Sequence, residues 1–117
     1  MTTRRLGLIM NGITGRMGLN QHLIRSIVAI RDAAKVEALA KRFSIARFTT
    51  DLDAALADAN DTVFFDAATT QARPSLLTRA INAGKHVYCE KPIATNLEEA
   101  VAVLKLANAK GVKHGTV

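Results

Sequence analysis

Cysteine, aromatic residues and long apolar runs are all scarce in this chain of 117 residues. The single cysteine, Cys89, excludes an internal disulfide and a zinc site built from cysteines. No apolar run approaches the roughly 18–20 residues that a membrane-spanning helix needs. The N-terminal apolar stretch is too short for a signal peptide. These absences lead us to expect a soluble cytoplasmic domain with no membrane partner.

Basic residues are concentrated in the first part of the chain. Residues 1–50 carry nine Lys and Arg against two acids, whereas residues 51–117 carry seven against eight, for a net charge of +6. A basic chain raises the question of nucleic acid as a partner. The basic residues are dispersed, however, and five aromatic residues are few for base stacking. A phosphorylated small ligand suits this charge equally well.

Runs of strand length alternate with amphipathic stretches along the chain. The strand-like runs are Leu6–Met10, Thr62–Asp66 and His86–Glu90, with shorter candidates at 46–49 and 112–117. The helical stretches are 33–43, 52–58 after a Thr50 or Asp51 cap, Pro74–Gly84 and the stretch from Thr95 to Gly111. This alternation predicts an α/β fold of the Rossmann type, a doubly wound parallel sheet with helices on both faces.

The last helical stretch has a predicted start and a predicted buried face. Thr95 and Glu98 have the spacing of a capping box. The apolar positions predicted to be buried are Leu97, Ala100, Val101 and Leu104.

A glycine-rich turn, residues 11–18, follows the first predicted strand and opens a helical pattern. Its glycines, at positions 12, 15 and 18, allow a sharp turn and bring backbone N–H groups close to a pyrophosphate at the helix N-terminus. Arg16 adds a charged contact there. The spacing GxxGxxG is less common than GxGxxG and weak by itself. Its place between a strand and a helix favours nucleotide binding over plain turn chemistry.

The segment after this turn is short for a helix and a strand. A five-residue strand spans about 17 Å, and a helix of matching length needs about 11 residues. Helix, turn and strand together therefore exceed the 14 positions from Leu19 to Asp32. Leu19, Leu23, Ile27 and Ile30 also share one helical stripe. We therefore expect the second strand to be shortened or missing near residue 32. Asp32 is then no ribose ligand, and the sequence does not choose between NAD and NADP.

Glu90, Lys91 and Pro92 end the predicted strand His86–Glu90. Ligands of open parallel sheets bind beyond the carboxyl ends of the strands, which places Lys91 at that rim. A lysine there can hydrogen-bond a substrate oxygen and stabilise charge that develops during hydride transfer. On local sequence alone, a solvated surface lysine is the commoner explanation.

Together these motifs resemble the N-terminal domain of the Gfo/Idh/MocA family (glucose–fructose oxidoreductase, inositol dehydrogenase and MocA). The resemblance rests on Leu6–Gly18, on Phe65–Thr70 and above all on Ala83–Ala94, which reads AGKHVYCEKPIA. It implies an NAD(P)-binding Rossmann domain over residues 1–117, with the family's C-terminal substrate domain absent from this chain. It further implies an oxidoreductase, homo-oligomeric at full length, that moves a hydride between nicotinamide and a sugar, inositol or related polyol carbon bearing oxygen.

The resemblance also implies roles for individual residues. Lys91 becomes the catalytic lysine beside the nicotinamide of NAD or NADP, and no metal is implied. The cofactor-binding residues become Asn11, Gly12, Ile13, Thr14, Gly15, Arg16, Met17, Ala68, Thr69, Glu90 and Lys91. The proton-transfer histidine is expected from the second domain, so this chain alone is expected to be inactive.

Two alternatives stay open at this point. A dihydrodipicolinate-reductase-like enzyme has a similar Gly-x-x-Gly-Arg-Met-Gly turn, and a non-catalytic dinucleotide-sensing module is consistent with an isolated domain. Among single residues, Cys89 is predicted to be a buried structural thiol, and Asp66 a rim carboxylate that bonds to turn amides. His114 is near enough to the C-terminus to approach an active site.

Overall fold

The computed structural model describes residues 6–12, 27–29 and 33–117. In this part of the chain the strands are β1 Gly7–Asn11, β2 Ile27–Ala29, β3 Phe48–Thr49, β4 Asp61–Asp66, β5 His86–Cys89 and β6 His114–Thr116. The helices are α1 Ala33–Arg42, α2 Leu52–Ala57, α3 Arg73–Asn82 and α4 Leu97–Lys110. The strands form one parallel sheet in the order β3-β2-β1-β4-β5-β6. The predicted Rossmann-type fold is confirmed.

Helices cover both faces of the sheet. On β4, Phe64 belongs to the buried cluster that includes Ile81 of α3 and Ala107 of α4, while Phe65 belongs to the cluster of Val36 on α1. Successive side chains of a strand point to opposite faces. A strand with a helix layer on each side therefore needs consecutive apolar residues, which explains why the apolar runs do not alternate with polar residues.

The second strand is present and short. Ile27, Val28 and Ala29 of β2 lie in parallel register with residues 9–11 of β1, and Val28 and Ala29 continue the sheet to β3. The expectation of a shortened strand is therefore right, and the version in which the strand is missing is wrong. Three residues, instead of the five expected, are enough to pair with the end of β1.

The helical stripe predicted through Ile27 is also wrong. Ile27 is a strand residue, paired in register with Ile9, and the β-branched pair Ile27 and Val28 favours a strand over a helix. Leu19, Leu23, Ile30 and Asp32 lie outside the described residues.

Helix α4 begins one residue later than predicted. The side-chain oxygen of Asn96 accepts a hydrogen bond of 2.9 Å from the backbone N–H of Glu99. Asn96 is therefore the cap, and the capping box of Thr95 and Glu98 is wrong. Asparagine is at least as good an N-cap as threonine, so the local sequence allows both starts.

The buried face of α4 also differs from the prediction. Val103 and Ala107 are its buried residues, whereas Leu97, Val101 and Leu104 are exposed. The helix carries apolar residues on two sides, and helical periodicity alone does not choose between them.

Other predicted helix ends are confirmed. The Asp51 carboxylate caps α2 by accepting from the Ala54 backbone N–H at 3.0 Å. Gly84 follows α3 with φ +75° and Gly111 ends α4 with φ +65°, the left-handed conformation that favours glycine. Within the described ranges, no helix is long and apolar enough to cross a membrane.

Candidate functional site

The strand order reverses between β1 and β4, which are neighbours in the sheet and distant in sequence. The chain leaves such a reversal point in two opposite directions, which opens a crevice beyond the carboxyl ends of the two strands. The segments that follow both strands meet at this crevice. The backbone N–H of Ala67 donates to the carbonyl oxygen of Asn11 at 2.9 Å.

Gly12 lies directly against the segment that follows β4. Its φ is +74°, and a Cβ atom built there would lie 2.6 Å from the carbonyl carbon of Ala67 and from the Cα of Ala68. No side chain fits in this space, so position 12 requires glycine for its φ and for its closeness to the next loop. The crevice is therefore walled by main chain at this point, as a ligand that binds through backbone N–H groups requires.

Asn11 and Asp66 end the two central strands and bond to each other. They are paired in register, and the Asn11 side-chain amide donates to Oδ1 of Asp66 at 2.7 Å. Both residues are buried. Among the described residues, the two oxygens of the Asp66 carboxylate accept from the side chains of Asn11 and Arg73, where the prediction had turn amides.

Arg73, the first residue of α3, is the functional candidate that the sequence reasoning missed. Its Nε donates to Oδ2 of Asp66 at 2.9 Å, and its two Nη atoms donate to the carbonyl oxygens of Pro92 and Ala68. The residue is 2% exposed. One signal was available, since a cation in the first turn of a helix opposes the helix dipole and calls for a nearby anion.

Glu90 and Lys91 follow β5 at the same edge. The Glu90 backbone N–H donates to the carbonyl oxygen of Asp66 at 2.9 Å, and the Glu90 side chain is buried. Lys91 is exposed, and no hydrogen bond or ion pair with another described residue engages its ammonium group. Its donors are free for a ligand at this edge.

Ala68 is half-buried and lies against Gly12, and the next residue, Thr69, is exposed; both follow β4. Of the predicted cofactor-binding residues, Asn11, Gly12, Ala68, Thr69, Glu90 and Lys91 are thus brought to one edge of the sheet. The remaining predicted residues, Ile13, Thr14, Gly15, Arg16 and Met17, lie outside the described residues.

Cys89 and His114 take no part in this edge as reactive groups. Burial raises the pKa of the Cys89 thiol to about 11, so it is protonated at neutral pH and a poor nucleophile. His114 begins β6, and its Nε2 lies 3.2 Å from the side-chain oxygen of Asn108. The start of a strand lies at the opposite edge of a parallel sheet from its carboxyl end. In the ranges that the structure covers, no cluster of His, Cys, Asp and Glu could hold a metal ion.

Comparison with known proteins gives consistent matches over most of the chain. The family model described as "Oxidoreductase family, NAD-binding Rossmann fold" (GFO_IDH_MocA) matches residues 13–116. A D-xylose dehydrogenase of Paenarthrobacter nicotinovorans is 40% identical over 92% of this chain and 34% of its own length. A levoglucosan dehydrogenase of Pseudarthrobacter phenanthrenivorans is 28% identical over 78% of this chain and 23% of its own length.

A solved structure has the same fold as this chain. The crystal structure of an NAD binding oxidoreductase from Klebsiella pneumoniae is 26% identical, with a TM-score of 0.82, over 97% of this chain and 34% of that one. The chain thus spans about a third of the length of the D-xylose dehydrogenase and of the Klebsiella protein.

The alignment with the D-xylose dehydrogenase also bears on chain length. It extends over 130 positions but takes in only 92% of the 117 residues, about 108, so at least 22 or so positions of the alignment have no residue of this chain. The chain is therefore shorter than this relative within the aligned region.

Proposed function

Since this chain belongs to the Gfo/Idh/MocA oxidoreductase family, we propose that it is the dinucleotide-binding half of an NAD(P)-dependent dehydrogenase acting on a sugar or related polyol. In this proposal a second domain completes the substrate pocket and supplies the proton-transfer histidine. Lys91 is the catalytic residue that this chain contributes.

One observation carries the proposal. The main chain at Gly12, with φ +74°, lies against Ala67 and Ala68 where the strand order reverses. Lys91, whose ammonium bonds to no other described residue, follows β5 at the same sheet edge. A dinucleotide needs these two features together, namely close backbone approach for the pyrophosphate and a polar group at the far end of the crevice. The described residues therefore fit the cofactor.

A bound nicotinamide dinucleotide supplies the hydride donor or acceptor of the reaction. The residues of this chain orient the bound groups and polarise the oxygen on the reacting carbon. The loop at Ala68 and Thr69 follows β4 and lies against Gly12 through Ala68, and the buried Glu90 directly precedes Lys91 in the chain. The Lys91 ammonium can donate a hydrogen bond to the oxygen on the reacting carbon, which stabilises negative charge on that oxygen when a carbonyl is reduced.

The substrate class follows from the named relatives and not from the described residues. The two relatives are dehydrogenases of D-xylose and of levoglucosan, and both names denote sugars or sugar derivatives. Because a second domain would contribute most of the pocket, the identity of the sugar depends on residues outside this chain.

Titration of this chain with NADH and with NADPH, followed by nicotinamide fluorescence, tests the proposal directly. We expect saturable binding of at least one of the two, and the ratio of the dissociation constants reports the preference for the 2′-phosphate. A chain that is folded by circular dichroism and binds neither dinucleotide would contradict the proposal.

The role of Lys91 is tested separately by Lys91→Ala. We expect the dissociation constant for the dinucleotide to change by less than about tenfold, or 1.4 kcal/mol. Turnover of the intact dehydrogenase should fall far more, because the hydrogen bond to the reacting oxygen strengthens as charge develops. Lys105→Ala, an exposed lysine on α4, is the matched control. Equal losses of binding and turnover in Lys91→Ala would contradict a catalytic role.

A further inference from the structure

Arg73 is a buried cation that donates hydrogen bonds to three different residues. Its guanidinium donates to the Asp66 carboxylate, to the Ala68 carbonyl at 2.5 Å and to the Pro92 carbonyl. Only 3% of its side chain is exposed, and the Asp66 side chain is fully buried. Such a charge is stable in the interior only when it is paired and hydrogen-bonded. The ion pair with Asp66 and the two bonds to carbonyl oxygens meet this requirement.

The acceptors of Arg73 belong to both loops that the proposed function uses. Ala68 lies in the loop after β4, against Gly12, and Pro92 directly follows Lys91 after β5. The main chain around Lys91 is thus held on two sides, by Arg73 at Pro92 and by the bond from the Glu90 N–H to the Asp66 carbonyl. No other contact described above joins one side chain to both loops.

We propose that Arg73 is a positioning residue, which holds the cofactor loop at Ala68 and the Lys91 loop at a set distance from each other. It acts through the main chain of these loops and touches neither substrate nor cofactor. The contacts of Arg73 are the physical basis of this inference. Its consequence, a crevice of the width that a dinucleotide needs, rests on the proposed function.

Lysine cannot replace arginine in this role. The guanidinium is a planar fork whose separate N–H groups point at separate acceptors, whereas an ammonium is a single point at the end of a flexible chain. Arg73→Lys therefore keeps the charge beside Asp66 and loses at least one loop contact. Arg79→Lys is the matched control, because Arg79 lies on the same helix, is 41% exposed and pairs with the exposed Asp53.

The test combines two measurements on the 117-residue chain. The first is amide hydrogen exchange at Ala67 and Glu90, whose N–H groups bond at this edge, and at Lys85 and Val112, whose N–H groups bond elsewhere. The second is the dissociation constant for NADH or NADPH. In Arg73→Lys we expect exchange at Ala67 and Glu90 to be about tenfold faster, unchanged exchange at the other two, and affinity at least about tenfold weaker. Arg79→Lys should match the unmodified chain.

Each other outcome has a definite meaning. Equal acceleration at all four amides, with unchanged affinity of the folded fraction, would make Arg73 a merely stabilising residue and overturn the inference. Results identical to those of Arg79→Lys would overturn it too. If the unmodified chain binds neither dinucleotide, the proposed function fails, and the exchange pattern alone decides whether Arg73 positions the loops.

A second variant covers the case in which Arg73→Lys does not fold. The double variant Arg73→Gln with Asp66→Asn removes both buried charges at once and leaves neutral amides in their place, so no unpaired charge remains. Gln is too short to reach both loops. The same local loss of exchange protection at Ala67 and Glu90 is expected, and its absence in the folded double variant would refute the inference.

Discussion

Strand β4 begins and ends with an aspartate, and the two residues differ in how they are paired. Asp61 at the start and Asp66 at the end are both completely buried. Asp66 bonds to Asn11 and to Arg73, which are themselves buried. Asp61 pairs with Arg47, whose side chain is 55% exposed, and among the described residues its Oδ2 has no hydrogen-bond partner.

The difference separates two uses of a buried carboxylate. At the amino edge, Arg47 bonds to both Asp58 and Asp61 at 2.7 Å and remains half in water, and among the described residues it bonds to neither crevice loop. At the carboxyl edge, the partners of Asp66 extend the contact into the crevice loops. Equal burial therefore does not mean equal function, and the location of the partner decides the consequence.

The largest expected effect comes from truncating the two aspartates in turn. Asp66→Ala leaves the Arg73 guanidinium buried without its anion, and we expect it to lower the free energy of unfolding by about 3–5 kcal/mol. Asp61→Ala should cost about 1 kcal/mol or less, because Arg47 is half exposed and keeps Asp58, and because a buried unpaired oxygen is removed. Urea unfolding of both variants measures the contrast.

The contrast has a clear way to fail. Equal losses in Asp66→Ala and Asp61→Ala would mean that burial alone sets the cost and that the nature of the partner is irrelevant. Asp66→Asn is a useful intermediate, since it keeps the shape and a carbonyl acceptor while removing the charge. We expect its free energy of unfolding to lie between that of the unmodified chain and that of Asp66→Ala.

Two glycines with nearly the same φ sharpen the comparison of the edges. Gly12 at the carboxyl edge has φ +74° and Gly84 near the amino edge has φ +75°, but a Cβ at Gly84 meets nothing within 4 Å. Alanine at either position costs about 1–2 kcal/mol for the left-handed backbone. Gly12→Ala should cost about 1–3 kcal/mol more, because its Cβ collides with the backbone of Ala67 and Ala68.

The extra cost of Gly12→Ala should be accompanied by loss of dinucleotide binding, whereas Gly84→Ala should bind as the unmodified chain does. Urea unfolding gives the first quantity and the fluorescence titration the second. Equal costs at the two positions would mean that the loops at Gly12 and Ala68 can separate, and that the close approach is not a requirement of the fold.

Most of the fold could be predicted because it depends on local signals. Strands such as His86–Cys89 are apolar runs, and the helix ends at Gly84 and Gly111 depend on a single backbone conformation. The errors arose where two local solutions are nearly equal. Either Thr95 or Asn96 could cap α4, and its buried side is set by tertiary packing, in which Val103 and Ala107 join the core cluster that contains Leu77 and Ile81 of α3.

The candidate site was predictable only in part, for a related reason. Lys91 and Gly12 stand in recognisable motifs, so their place at the carboxyl edge followed from the order of strands. Arg73 has no motif, and its importance comes from acceptors that are 5, 7 and 19 residues away in sequence. The parallel register that brings β1, β4 and β5 together creates these contacts, and no local pattern contains that information.

The smallest expected effect concerns acid at the amino edge. The backbone N–H of Asn60 and the Arg47 guanidinium hold the pKa of Asp58 below its ordinary value of 3.8. A carboxyl with a lowered pKa in the folded state contributes stability above its ordinary pKa and loses it as the pH falls through the lowered value. Arg47→Met removes the contribution of the guanidinium and leaves that of Asn60. The difference in urea midpoint between the unmodified chain and Arg47→Met should therefore be constant from about pH 7 to pH 5 and shrink below about pH 4.

In an Asp58→Asn background this decrease at low pH should be weaker. A difference that stays the same down to about pH 3 would assign the contribution of Arg47 to the packing of its alkyl chain and not to its charge.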